Sequence, residues 1–144
     1  HTVIHRAINA FSDVTADNPR TPVVFVHEFG HSFAGLADEY FSSEVAYQDF
    51  YNLKYEPWEP NITTLVNFDA KWKDLLPANT PVPTPLDDAH KDKAGVFEGG
   101  GYIAKGIYRP MDHCMMRDYA PFCPACSRAI LQMIDYFTDK PIKH

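Results

Sequence analysis

The apolar positions of this chain fall into separated blocks, each with its own spacing. Between Val3 and about Val14 they sit at Ile4, Ile8 and Phe11, which predicts an extended element with those side chains turned inward. A helix from Ile4 to Phe11 fits the same positions. Thr15-Ala16-Asp17-Asn18-Pro19 is turn chemistry and ends that element. The next block, Thr21 to Ala34, is apolar almost throughout and reads as one buried helix with a single polar face. Thr21 suits the N-cap. Pro22 suits the first helical position, where a missing N–H costs no hydrogen bond. Gly35 lets the chain leave the helix through positive φ, into the acidic turn that carries Asp38 and Glu39.

Beyond Tyr40 the pattern loosens. The run to Tyr55 is rich in Tyr and Phe without a period, and predicts a wrapped segment with at most one short helical piece. Two prolines exclude regular structure from Glu56-Pro57-Trp58-Glu59-Pro60-Asn61. Phe68, Trp72, Leu75 and Leu76 recur at helical spacing behind Asn67 or Asp69, predicting an amphipathic helix closed by Pro77. Thr80 to Pro85 reads as polyproline-like, and Asp87 to Lys93 as a solvated loop with His90 exposed. Val96 to Tyr108 sets Gly99-Gly100-Gly101 and Gly106 between β-formers, which predicts strands or a wide hairpin. Such a stretch can equally be a surface turn or an edge that pairs with an extended peptide. A methionine-rich turn, Arg109 to Arg117, leads to a last helix that Pro124 opens, with Cys126, Ile130, Met133, Ile134 and Phe137 as its apolar stripe. The blocks together give one long helix, a small glycine-rich pair of strands and a C-terminal helix.

The long helix carries chemistry. His27 and His31 are four residues apart, so their rings leave one face a turn above each other. Two imidazoles so placed can grip one Zn²⁺ at about 2.0–2.1 Å each. Glu28 lies about a hundred degrees round the helix, too far to be a ligand with them but within reach of a water beside the ion. There it can act as general base, which is the mechanical content of the H-E-x-x-H pattern. A catalytic zinc takes three protein ligands and keeps one open position. Asp38, eleven residues after His27, is the candidate third ligand, with Glu39 its near competitor. If Asp38 holds the metal, Glu39 is expected to orient one of the histidines. The bland alternative, a core helix with two hydrogen-bonded histidines, needs too many coincidences. His1 and His5 read as surface residues.

Length and composition narrow the field. With 144 residues, 45% of them hydrophobic, the chain can bury the core of one domain. A net charge of −6 offers nothing to nucleic acid or an anionic membrane. No apolar run reaches the roughly 18–20 residues that a membrane span needs. The three cysteines, Cys114, Cys123 and Cys126, cluster near the C-terminus and point to a local role: a disulfide from Cys114 to Cys123 or Cys126, free thiols, or a structural metal site completed by His113. Asn61-Ile62-Thr63 matches a glycosylation sequon.

A zinc helix, a glycine turn, a third ligand and a distal methionine turn before a closing helix resemble the metzincin metallopeptidases. The usual spacing places Gly and the third ligand one position earlier than Gly35 and Asp38. More narrowly, the chain resembles the bacterial IgA-specific metallo-endopeptidase family. The segments that carry this are Val24 to Tyr40, Glu56 to Asn61, Phe97-Glu98-Gly99-Gly100-Gly101-Tyr102, Gly106-Ile107-Tyr108-Arg109-Pro110, Cys114-Met115-Met116-Arg117 and Phe122-Cys123-Pro124-Ala125-Cys126.

The resemblance implies a secreted or cell-envelope zinc endopeptidase acting on protein substrates, immunoglobulin A among them. Residues 1–144 would be its metzincin-like α+β catalytic domain, with a long active-site helix, a small sheet and a C-terminal helix, and with further strands expected upstream. It implies His27, His31 and Asp38 as metal ligands and Glu28 as the catalytic base. Met116, or else Met115, would pack beneath the metal, and Tyr102, Tyr108 or Tyr119 would steady the oxyanion. Two other readings compete. One is a thermolysin-like peptidase whose third ligand is a later glutamate, Glu44 being nearest; the other is a zinc-stabilised binding or adhesion module with a degenerate site. The intact Glu28 speaks against the second, because a structural zinc has no use for it.

Overall fold

The computed structural model describes residues 5–8, 11–14, 16–41 and 50–139. Strands β1 (His5–Ile8) and β2 (Phe11–Val14) pair antiparallel, so the first element is extended and the competing helix is not formed. Ile4 and Glu44 lie outside the described residues. Helix α1 (Thr21–Ala34) follows and packs against both strands. Its N-cap is Arg20, not Thr21. The preceding turn sets that boundary: the Thr21 N–H donates to the Asn18 carbonyl, and the Arg20 N–H to the Asn18 side chain. Gly35 ends the helix at φ 62°, as expected, with its N–H on the His31 carbonyl.

The helix is not buried all round. Val24, His27, Glu28, Gly30 and Ala34 face inward, whereas Phe25 and Phe29 are 49% and 38% exposed. The polar motif therefore lies on the covered side. A ladder of stacked rings, Phe25 on Phe29 and Phe29 on Phe33, runs along the open one.

Between Asn67 and Pro77 the amphipathic helix is replaced by two short 3₁₀ turns, Phe68–Ala70 and Lys73–Leu75. Lys71 breaks the run with φ −103° and ψ −134°. Its buried ammonium donates to the carbonyls of Pro57 and Glu59, at 2.5 and 2.6 Å, and pairs with Glu56. Satisfying a buried cation outweighs the few tenths of a kcal/mol per residue that helix propensity offers here. Trp72, the next residue, is fully buried, with its indole N–H on the Gly95 carbonyl. His90 is not fully exposed, because its ring folds onto Asp87 at 2.6 Å.

Strands β3 (Phe97–Gly100) and β4 (Ile103–Arg109) form the predicted hairpin, with an irregularity between Glu98 and Gly100. Thr63 bridges to Tyr108 on β4, and Phe41 to Tyr102 at the tip. The short helix α2 (Met115–Asp118) and the last helix α3 (Pro124–Phe137) complete the order. Only the first half of the α3 stripe is covered: Cys126 is buried, Ile134 and Phe137 are exposed. Two apolar clusters result. One joins Leu36, Trp72, Met116 and the three cysteines to Ala125 and Ala129; the other joins Ala37, Ile62, Ile103 and Ile107. Consecutive residues Leu36 and Ala37 belong to different clusters, so the segment leaving α1 runs along their seam.

Candidate metal centre

The site begins with how each histidine is held. The His27 Nδ1 lies 2.8 Å from the Met115 carbonyl, and the His31 Nδ1 2.6 Å from the Leu36 carbonyl. A carbonyl only accepts, so each Nδ1 carries the proton, and in the neutral ring Nε2 is left with a lone pair. The two Nε2 atoms face each other at 3.1 Å. The turn at Gly35 performs two tasks here, returning the Leu36 carbonyl to His31 and starting the extended run that carries Asp38. The Asp38 Oδ1 lies 3.1 Å from the His27 Nε2 and 3.2 Å from the His31 Nε2.

Three lone-pair donors thus converge with their partners arranged behind them. Tetrahedral ligands at about 2.0–2.1 Å from one ion lie about 3.4 Å apart, so the triangle fits a small divalent cation such as zinc, slightly contracted. Burial opposes charge on His31, but the Asp38 carboxylate outweighs it and the His31 pKa is raised. Burial likewise opposes ionisation of Asp38, yet the two imidazoles and Tyr102 hold its carboxyl well below the usual carboxylate range. Glu28 is buried, and one of its carboxylate oxygens lies within 4.8 Å of the ring nitrogens of both His27 and His31.

Asp38 is fixed from every side. Its carbonyl accepts from the Gly101 N–H at 2.8 Å, and its Oδ2 accepts from the Tyr102 hydroxyl. Ala37 exchanges two hydrogen bonds, each 2.8 Å, with the Asn61 side chain. Asn61 is therefore fully buried, and its sequon is a structural clamp with no room for a glycan. Trp58 covers the turn: a Cβ on Gly35 would stand 2.6 Å from its ring. Met116 is buried under α1, its sulfur 2.8 Å from where a Cβ on Gly30 would sit.

Glu39 does not orient a histidine. Both Nδ1 atoms are taken by backbone carbonyls, and Glu39 turns to the opposite side, 3.2 Å from the Cys126 Sγ and 2.9 Å from the Asn61 Nδ2. His113 is absent from the cysteine cluster, being half-exposed and bonded to Asp118. The three cysteines are buried and not joined by a disulfide. Of the tyrosines, Tyr102 is engaged with Asp38, Tyr108 forms the backbone bridge with Thr63, and Tyr119 packs edge-on against His27 with centroids 5.4 Å apart. Sequence spacing had no way to find the Tyr102–Asp38 bond, the Asn61 clamp or the Trp58 cover, because each joins residues more than twenty positions apart.

The sequence profile of the IgA Peptidase M64 family matches residues 6–94 and 86–134, nearly the whole chain. The chain belongs to the IgA peptidase M64 family. It is a peptidase by that membership, and M64 peptidases are metallopeptidases. No curated protein matches it. Among the described residues of this M64 chain, two groups of side chains could hold a metal ion: His27, Glu28 and His31 with the adjoining Asp38, and Glu39 with the three cysteines. No described helix is long and apolar enough to cross a membrane.

Proposed function

We propose that this M64 peptidase is a zinc-dependent endopeptidase, with His27, His31 and Asp38 as the metal ligands and Glu28 as the general base. The observation that carries the reading is the convergence of two Nε2 lone pairs and the Asp38 Oδ1 within 3.2 Å of one another. Three protein donors leave a fourth position for substrate or water, which distinguishes a catalytic site from a closed structural one. When bound, zinc supplies Lewis acidity, making water a better nucleophile near neutral pH and polarising a carbonyl.

The remaining steps belong to the chain. Glu28 accepts the proton of the attacking water and delivers it to the leaving amine. The carbonyls of Met115 and Leu36 hold the imidazoles in the tautomer that presents Nε2, and Tyr102 steadies the Asp38 carboxylate. Of the three candidate tyrosines, Tyr119, 39% exposed with its ring against His27, is the one we assign to the oxyanion. The Gly35 turn, the Met116 floor and the closing helix α3 support a metzincin-like arrangement of the catalytic domain. Immunoglobulin A as a protein substrate accords with the family's description, and an extracellular or cell-envelope setting would give the enzyme access to it.

The deciding experiment is Glu28→Ala with zinc content and peptide hydrolysis measured together. Bound zinc should persist while kcat falls by about 10²–10⁴-fold, the range general base catalysis supplies. Unchanged hydrolysis in that variant would remove Glu28 from the mechanism.

A further inference from the structure

Behind the histidine face lies a second group of ligand-type side chains that peptide hydrolysis does not use. Cys114 precedes α2, Cys123 caps α3, Cys126 sits in its first turn, and Glu39 reaches them from the segment after α1. All four are at most 1% exposed. We propose that Glu39, Cys114, Cys123 and Cys126 form a closed four-donor site for a structural zinc ion, separate from the catalytic one.

The distances carry this assignment. The Cys114 and Cys126 sulfurs are 3.7 Å apart, and the Glu39 Oε1 is 3.2 Å from the Cys126 Sγ and 3.9 Å from the Cys123 Sγ. One donor atom from each of the four side chains lies within 4.8 Å of every other. Sulfurs bound tetrahedrally at about 2.3 Å stand about 3.8 Å apart, whereas a disulfide closes to about 2.05 Å. The backbone is arranged for thiolates: the Cys123 N–H points at the Cys114 Sγ, and the Cys126 N–H at the Cys123 Sγ, each at 3.4 Å. Amide donors aimed at sulfur offset charge that a neutral thiol would not carry.

Glu39 supplies an independent observation. Its carboxylate is wholly buried, Asn61 donates to Oε1, and Oε2 has no hydrogen-bond partner. A buried carboxylate with an unpaired oxygen is costly to keep ionised, and a cation held by the carboxylate would offset that cost. A disulfide between any two of the sulfurs would leave that oxygen orphaned and strand the third cysteine. Three thiolates and a carboxylate in a closed pocket suit zinc, and the pocket leaves no position open to substrate. The ion would tie together the segment bearing Asp38, the segment whose Met115 carbonyl holds His27, and the start of α3.

The site reads out by cobalt substitution of the full chain, prepared metal-free under reducing conditions. Sulfur-to-cobalt charge transfer requires thiolate ligands, which the His27, His31 and Asp38 set lacks. The expected result is a near-ultraviolet charge-transfer band with tetrahedral d–d bands, saturating at one equivalent. The band should survive in the His27→Ala, His31→Ala double variant, so its outcome is separable from that of the catalytic reading. Cys126→Ser should abolish it and lower zinc content by one equivalent. Should that variant fail to fold, the wild-type spectrum still decides. Cobalt binding without a thiolate band overturns the proposal, as does a mass two hydrogens light in protein purified without reductant.

Discussion

Asp38 and Glu39 are neighbours in sequence and serve two different sites. The segment after Gly35 is extended, so consecutive side chains leave opposite sides of the backbone. Asp38 faces the histidines of α1, and Glu39 faces the cysteines at the start of α3. The two surroundings differ in one decisive respect. The histidine set offers three donors, one of which, the His31 side chain, is 20% exposed, whereas the cysteine set offers four donors with none above 1%. An open three-donor site can exchange water and substrate; a closed four-donor site can only hold its ion. One stretch of backbone, pinned by Asn61 at residue 37 and by Met116 at the N–H of residue 39, thus sets the position of the histidine set against the cysteine set.

The sharpest way to break this comparison is to remove the two carboxylates one at a time. Glu39→Ala should cost the most, because it leaves three buried thiolates short of a ligand. We expect loss of the second zinc equivalent and at least about 3 kcal/mol of unfolding free energy, measured by denaturant titration. Asp38→Ala should abolish peptide hydrolysis and empty the other site, while moving the unfolding midpoint far less. Identical outcomes for the two variants would mean that the sites are not distinct. Metal removal tests the same division by rate. A chelator should strip the open site first, ending hydrolysis with the fold intact by circular dichroism. The second equivalent should leave more slowly, together with the structure. A single phase of zinc release, followed by direct metal analysis, would argue against a closed site.

The sequence made some of this legible and hid the rest for identifiable reasons. α1, the β3–β4 hairpin and α3 announce themselves through apolar period, Pro at the first turn and glycine at the turns, all local signals. The stretch from Phe68 to Leu76 has a helical period as well. There the tertiary demand of Lys71 for the carbonyls of residues 57 and 59 wins over the local pattern. The Asp38–Glu39 pair is visible as chemistry, but spacing cannot say which way each points, since that depends on contacts with Tyr102, Asn61 and Cys126. His113 was the natural fourth partner for the cysteines by proximity along the chain. Its ring is instead drawn outward by Asp118, and a carboxylate from 75 positions earlier takes the place. Glycosylation at Asn61 fails for a similar reason: the motif is local, but burial is not.

The smallest effect expected is also the most specific to the open site. Tyr102 has φ 68° at the tip of the hairpin, and its hydroxyl donates to the Asp38 Oδ2, the oxygen turned away from the histidines. Its backbone N–H is held by the Tyr40 carbonyl, so Tyr102→Phe keeps the hairpin in place and deletes the hydrogen bonding of the phenol to Asp38 and to the Tyr40 side chain. Partners behind a metal ligand typically contribute about 10–100-fold in metal affinity. Zinc affinity at the histidine site should fall by about that factor, read by competition with a chelating dye. The thiolate band of the cobalt form should not move, because Tyr102 contacts Asp38 and not Glu39. If the phenol instead served only the hairpin, both sites would weaken together through the shared segment after α1, and the separation drawn between residues 38 and 39 would have to be abandoned.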